Sequence, residues 1–165
     1  MKLLGNFKTF ILLACVAGLL LACGTQLPIA NLSKQQKVPL QKMLNMLPPD
    51  SARQSFIIVY KSVEHGDTTG TRDFAAIVYD KASAQRYFFL NESPNKYNVI
   101  KQAEKTKAFI GLDNLLNYYL AGKTGLLQPL AGSALSRQNS ALPRIYDIDF
   151  AKHISQVFEL PSVTL

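Results

Sequence analysis

The chain has 165 residues, of which 48% are hydrophobic, and its 18 basic and 11 acidic side chains give a formal net charge of +7. This length suits one domain of ordinary size with a core of its own and argues against several domains. The positive balance favours contact with anionic lipid or lipopolysaccharide surfaces, although solubility alone also accounts for it.

The N-terminal segment has the pattern of a secretory leader. Lys2 and Lys8 form a short basic start, and an uncharged, apolar run then extends from Phe10 to Ala22. The run is shorter than the roughly 20 residues that a membrane-spanning helix needs. A basic start, a short apolar core and small residues at the cleavage point are typical of an export signal, so the sequence predicts removal of residues 1–22. We expect an exported protein and exclude nucleic acid as its partner.

The stretch LLAC that ends at Cys23 resembles the lipobox of bacterial lipoproteins, which are substrates of signal peptidase II. In that family the peptidase cuts before the cysteine, which carries a diacylglycerol on its sulfur and usually a further acyl chain on its amine. The resemblance implies that Cys23 is a lipidation site and a membrane anchor. Each CH₂ of an acyl chain that is buried in the bilayer stabilises membrane binding by about 0.8 kcal/mol. Gly24 and Thr25 follow, as in family members sorted to the outer membrane. The alternatives are a buried structural cysteine or an uncleaved membrane anchor.

The mature chain predicted in this way has 143 residues and a formal charge of +5, since Lys2 and Lys8 are lost with the leader. Cys23 is its one cysteine, so an internal disulfide is excluded and the fold depends on its core. Residues 24–38 are polar and predict a flexible tether. We therefore expect the acylated cysteine and its tether over residues 23–38 and a single globular domain over residues 39–165.

The first element predicted in the domain is a short amphipathic helix within PLQKMLNMLPPD, residues 39–50. Leu40, Met43, Leu44 and Leu47 recur at helical spacing. Pro39 can occupy the first turn of a helix, and the two prolines after Leu47 end it. We expect this helix to pack on the body of the domain, with a partner-binding helix as the alternative.

Three antiparallel strands are predicted next, near residues 54–64, 72–80 and 84–91. Each has a β-branched or aromatic centre, and the turn-rich EHGDTTGT separates the first two. The apolar runs are continuous rather than alternating, so we expect part of the sheet to be covered on both faces.

The following segment predicts two strands, near 97–102 and 106–111, and then a helix. The helix extends from Asp113 to Leu120, with Asp113 near its start and Gly122 as its stop. One face of this helix is apolar, formed by Leu112, Leu115, Leu116 and Tyr119.

The C-terminal part predicts a loop with a short helical turn over residues 123–142 and a strand over 143–150. Residues 151–160, AKHISQVFEL, fit either a helix or a strand. Together the elements predict an α+β fold. It has an antiparallel sheet of about five or six strands, with a curved half-barrel as one form, and two or three short helices.

No motif in the sequence predicts a catalytic site, a metal or a cofactor. Asp147 and Asp149 share a strand face, and His153 follows four residues later, a set that could hold a divalent metal with a further ligand. His65 would be that ligand if the fold brought it close, but a solvated strand face is the favoured interpretation. AGKTG, residues 121–125, lacks the first glycine of a phosphate-binding loop.

The stretch GLDNLLNYYLAG, residues 111–122, resembles the LolB family of outer-membrane lipoprotein receptors. Members of that family are lipoproteins with an incomplete antiparallel barrel and a helical lid over an apolar hollow that takes acyl chains. The resemblance implies a smaller lipid-binding or protein-binding half-barrel. The candidate ligand-binding residues lie between the sheet and helix 113–120: Leu112, Leu115, Leu116, Tyr119, Tyr87 and Phe89.

These observations predict a periplasm-facing outer-membrane lipoprotein with a non-enzymatic binding role in envelope assembly or lipid handling, through an apolar groove rimmed by basic side chains. A protein-binding lipoprotein, such as an immunity protein or an accessory subunit of an envelope complex, is the alternative. A metal-dependent hydrolase using Asp147, Asp149 and His153 is the third hypothesis. A cavity would favour a lipid, an exposed aromatic patch would favour a protein partner, and convergent ligands would favour the enzyme.

Overall fold

The computed structural model describes residues 27, 32, 34–50, 53–64, 72–91, 100–131 and 142–160. The helices in this part are α1 (Lys34–Asn45) and α2 (Ile110–Leu120), and a 3-10 helix (Lys107–Phe109) leads directly into α2. The strands are β1 (Ser55–Glu64), β2 (Arg72–Asp80), β3 (Arg86–Asn91), β4 (Ile100–Ala103), β5 (Gln128–Leu130), β6 (Arg144–Asp149) and β7 (Ile154–Glu159). The predicted leader, Cys23 and the loop between β1 and β2 with His65 lie outside the described residues.

The strands form one open antiparallel sheet in the order β4-β3-β2-β1-β6-β7-β5. The α+β fold with an antiparallel sheet is confirmed, and the described sheet has seven strands rather than five or six. Strands β1 to β4 follow one another as a meander, whereas β6 pairs with the other side of β1, with Ile57 opposite Asp147. β1 therefore lies in the middle of the sheet.

Both faces of the sheet are covered, which explains the continuous apolar runs. Successive residues of a strand point to opposite faces, so Phe56 and Ile58 enter one core while Ile57 and Val59 enter the other. Helix α1 packs on the first face and α2 on the second. A strand with one solvated face would alternate apolar and polar residues.

The core beneath α1 includes Leu40, Met43 and Leu47 of the helix. Helix α1 begins at Lys34, five residues before its predicted start at Pro39, which instead lies within the helix. The prediction failed because residues 34–38 carry no apolar periodicity and a proline usually marks a first turn.

The prediction of a free tether over residues 24–38 also needs correction. Leu27 and Leu32 are buried in the core beneath α1. Burial of a leucine is worth about 1.5–3 kcal/mol relative to its exposure, which outweighs the polar character of the residues around it. The packed domain therefore includes Leu27 and Leu32.

The second core lies beneath α2 and includes Phe109, Leu112 and Leu116. The predicted strand over 106–111 is wrong, because the chain leaves the sheet there. The Phe109 N–H donates to the Thr106 carbonyl at 3.0 Å, and this turn directs the Phe109 ring into the core. Its aromatic side chain resembles a strand residue in the sequence, but it is the first core contact of the helical segment.

The C-terminal strands complete the sheet. The ambiguous segment 151–160 contains β7, and the turn before it places His153 at a φ of +52°. The short β5 lies in the region predicted to be loop and pairs with β7. Neither of the two helices in the described part is long and apolar enough to cross a membrane.

Candidate functional site

The structure divides the six predicted ligand-binding residues between the two faces of the sheet. Leu112 and Leu116 are buried beneath α2, and Leu115 and Tyr119 pack against the same core. Tyr87 and Phe89 are buried in the other core, beneath α1. The six side chains therefore do not line one groove.

The alternation of β3 explains this division. Arg86, Phe88 and Leu90 point to the α2 side, so the intervening Tyr87 and Phe89 point to the α1 side. On the α2 side Phe88 meets Phe109, with ring centroids 5.2 Å apart. Buried side chains thus fill the space where the groove was predicted.

A cleft of about 470 Å³ lies on the α1 side, at the C-terminal end of that helix. Helix α1, the segment up to β1 and the turn between β6 and β7 form its walls. Its apolar surface includes Leu44, Leu47, Phe56 and Phe150, and its polar groups include Gln41, Asn45, Asp50, Arg53 and Gln54. These residues are far apart in the sequence and meet because β1 pairs with β6.

Arg53 fixes one wall of this cleft. Its Nη1 donates to the Pro48 carbonyl at 2.7 Å, its Nη2 donates to the Tyr87 hydroxyl at 2.8 Å, and its Nε lies 2.9 Å from Asp80 Oδ2. The Asp80 side chain is fully buried, so the guanidinium neutralises a charge that would otherwise be costly to bury. The loop after α1 is thereby held against β2 and β3.

Tyr87, a candidate ligand residue in the sequence, contributes to this wall through Arg53. The guanidinium lies 5.4 Å from the Tyr87 ring centroid, and the Tyr87 hydroxyl donates to Gln85 Oε1. Arg53 was not predicted as a functional residue, because a single arginine before a strand forms no motif. Its role depends on contacts with residues 27 and 34 positions further along the chain.

Two of the candidate metal residues, Asp147 and Asp149, form ion pairs with lysines of the protein. Asp147 forms an ion pair with Lys81 and accepts a hydrogen bond from the Tyr119 hydroxyl at 2.9 Å. Burial and the Asp147 carboxylate both raise the pKa of that hydroxyl. Asp149 accepts the Lys152 backbone N–H at 3.0 Å, which lowers its pKa.

His153 is exposed in the turn that follows Asp149. Within the described ranges, no group of three or more His, Cys, Asp and Glu side chains could hold a metal ion. Asp147 and Asp149 therefore act as ion-pair and turn-stabilising groups in this part of the chain.

The outer face of α2 is apolar and aromatic. Ile110 is 51% exposed and Tyr118 is 42% exposed, and the exposed Asn114 lies between them at helical spacing. We call these three residues the α2 stripe. Lys123 lies at one end, with its Nζ 5.3 Å from the Tyr118 ring centroid. Ile110 and Tyr118 thus leave apolar and aromatic surface exposed on this side of the sheet.

Comparison of the chain with protein-family models, with curated proteins and with solved structures gives no match. The resemblances to the lipobox and to the LolB family therefore rest on the short segments that carry them. The described domain has two candidate binding surfaces: the cleft at the end of α1 and the α2 stripe on the opposite side of the sheet.

Proposed function

We propose that this protein is a small bacterial lipoprotein, anchored through acylated Cys23 to the periplasmic face of the outer membrane, with a non-enzymatic binding role in lipid handling or envelope assembly. The ligand site is the cleft at the end of α1. The observation that carries the proposal is a cleft of about 470 Å³ whose wall combines apolar and polar side chains, in a domain whose two cores are filled by packed side chains.

The lining of the cleft favours an amphipathic ligand with an apolar chain. Clefts of roughly 300–1,000 Å³ that combine apolar walls with a few polar groups are typical of small-molecule sites. Leu44 and Phe150 are partly buried and offer contacts to a hydrocarbon chain. The amides of Gln41 and Gln54 can hydrogen-bond a polar end group.

Native mass spectrometry tests this site. The chain from Gly24 contains every described residue and so retains the described contacts of the fold. It is directed to the periplasm with a cleavable leader and purified without detergent. Leu44→Trp fills the cleft, and Val38→Trp is the matched control because Val38 is exposed on α1 and does not line the cleft.

We expect a lipid-sized mass on the wild type and on the Val38→Trp variant, lost on organic extraction and absent from Leu44→Trp. Melting temperatures show that both variants are folded. A clean apo mass for the wild type would refute the lipid ligand. Retention of the lipid by Leu44→Trp would place it at another surface.

The α2 stripe supports protein binding as a second candidate function, because Ile110 and Tyr118 are exposed on a helix with no exposed charge. A photo-crosslinker at position 114 in living cells tests it, with Ala82, which is exposed in the turn between β2 and β3 and does not line the cleft, as the control position. We expect a discrete crosslinked product from position 114 that disappears with Ile110→Asp. Identical products from both positions would contradict a specific partner.

A further inference from the structure

The chain between the proposed anchor and the packed domain is short. Leu27 is buried beneath α1, and four residue steps separate it from Cys23. An extended chain covers at most about 3.6 Å per residue, so the two Cα atoms lie within about 14 Å of each other. An acylated Cys23 therefore holds the α1 side of the sheet close to the bilayer.

Helix α1 has the charge to meet such a surface. Its sequence, KQQKVPLQKMLN, contains three lysines and no acidic residue. Lys42 and Asn45 are exposed on its outer side, and Val38 is 42% exposed between them and the start of the helix. Clusters of lysine beside a lipid anchor are attracted to anionic headgroups.

We infer that the outer face of α1 docks on the anionic lipids of the same membrane that holds Cys23. The inference rests on the proposed lipid anchor and adds an orientation to it. The sheet then lies above α1, and α2 with its stripe points away from the bilayer. A second copy of the chain is a poorer occupant of this face, because two α1 helices would bring their lysines together.

This orientation gives the cleft a position as well. Gln41, Leu44 and Asn45 belong both to α1 and to the lining of the cleft. With α1 on the headgroups, the cleft opens beside the membrane. An acyl chain then passes from the bilayer to Leu44 and Phe150 without crossing bulk water.

Fluorescence quenching in vesicles tests the orientation with the full lipidated protein. Asn45→Cys and Asn114→Cys are a matched pair, since both asparagines are exposed on helices that cover opposite faces of the sheet. Once Cys23 is acylated and the leader is removed, the introduced cysteine is the single free thiol. Each carries an environment-sensitive fluorophore, and the vesicles contain phosphatidylcholine and phosphatidylglycerol with a headgroup spin label.

We expect strong quenching from position 45 and weak quenching from position 114. Equal quenching at the two positions, or stronger quenching at position 114, overturns the docking of α1. Intact mass measured on the same sample separates the two proposals. A protein without acyl chains on Cys23 overturns the anchor and the docking together, whereas an acylated protein with equal quenching overturns the docking alone.

A charge variant tests the lipid chemistry. Lys37→Gln with Lys42→Gln removes two positive charges from α1, and Lys101→Gln with Lys107→Gln removes two exposed charges outside this helix. Loss of two lysines near an anionic leaflet should lower the ratio of docked to undocked protein by about 30-fold. Position 45 should then lose its quenching in the first variant and keep it in the second.

Salt and lipid composition complete the test. Salt at about 1 M, which shortens the screening length to about 3 Å, should have the same effect as the α1 charge variant. Omission of phosphatidylglycerol from the vesicles should also abolish the quenching at position 45. Quenching at position 45 that withstands the charge variant, the salt and the loss of anionic lipid overturns the electrostatic docking.

Discussion

Arg86 on β3 and Asp113 on α2 form an ion pair across the α2 side of the sheet, with Arg86 Nη1 2.6 Å from Asp113 Oδ1. The second carboxylate oxygen lies 2.6 Å from Lys105 Nζ, and Arg86 Nη2 donates to Asn117 Oδ1 at 2.7 Å. Two cations thus meet one buried carboxylate, and a single arginine contacts two successive turns of α2. This cluster fixes the position of α2 on the strands.

Asp113→Asn should lower the free energy of unfolding by about 1–2 kcal/mol, because Arg86 then loses a charged acceptor in a partly buried site. Urea unfolding followed by circular dichroism measures the change. Glu104→Gln alters an exposed carboxylate in the same region and should stay within about 0.5 kcal/mol of the wild type. Equal effects of the two substitutions would contradict the role of this ion pair.

The same carboxylate should make stability depend on acid. Burial of Asp113 opposes its charge, but the hydrogen bond from Lys105 and the charge of Arg86 outweigh burial and lower its pKa below 3.8. A lowered pKa contributes stability that is complete above the unfolded value and is lost as the pH falls through the folded value. The difference between the wild type and Asp113→Asn should therefore shrink below pH 3.8. A difference that is constant from neutral to acid pH would exclude this linkage.

Arg53→Met should lower the free energy of unfolding by about 3 kcal/mol, because it leaves the fully buried Asp80 without its guanidinium partner. Arg53→Lys keeps the charge but not the three-way geometry, so we expect an intermediate loss. Thermal and urea unfolding of both variants measure the order. The reverse order would show that the apolar stem of residue 53, rather than its charge, supports the wall of the cleft.

Leu32→Ala should destabilise the domain by about 2–3 kcal/mol, since it removes a buried leucine from the core beneath α1. Val38→Ala is the control, because Val38 is 42% exposed on the outer side of α1. The midpoints of urea unfolding are compared between the two variants. An unchanged midpoint for Leu32→Ala would restore a free tether before α1 and remove the short link on which the membrane orientation depends.

Cys23→Ala should block lipidation and leave the precursor with its leader, because the proposed modification uses the cysteine sulfur. Electrophoretic mobility and intact mass report the loss of processing, and membrane fractionation reports the loss of anchoring. Mature protein that still separates with the outer membrane would refute the anchor.

The strands were predictable where the sequence has long β-branched runs between turns. The predictions for 54–64, 72–80 and 84–91 agree with β1, β2 and β3 to within two residues at each end. Segments whose structure depends on distant contacts were not predictable. Phe109 resembles a strand residue until its core is known, and β5 exists only as a partner of β7.

The site was harder to predict than the fold. A period of two shows that Tyr87 and Phe88 face opposite ways, but it does not show which face α2 will cover. The cleft brings Leu44, Phe56 and Phe150 together through the pairing of β1 with β6. No local pattern encodes that proximity.

The central position of β1 also has a consequence for the order in which the chain folds. The strands of the meander from β1 to β4 follow one another in the chain, so their contacts are close in sequence. By contrast, more than half of the chain separates Ile57 of β1 from its partner Asp147 of β6. Until β6 pairs with it, β1 has one open edge beside its apolar centre, and such edges pair readily with other chains. We therefore expect the docking of β6 against β1 to be a slow step of folding, and it closes this open edge of β1.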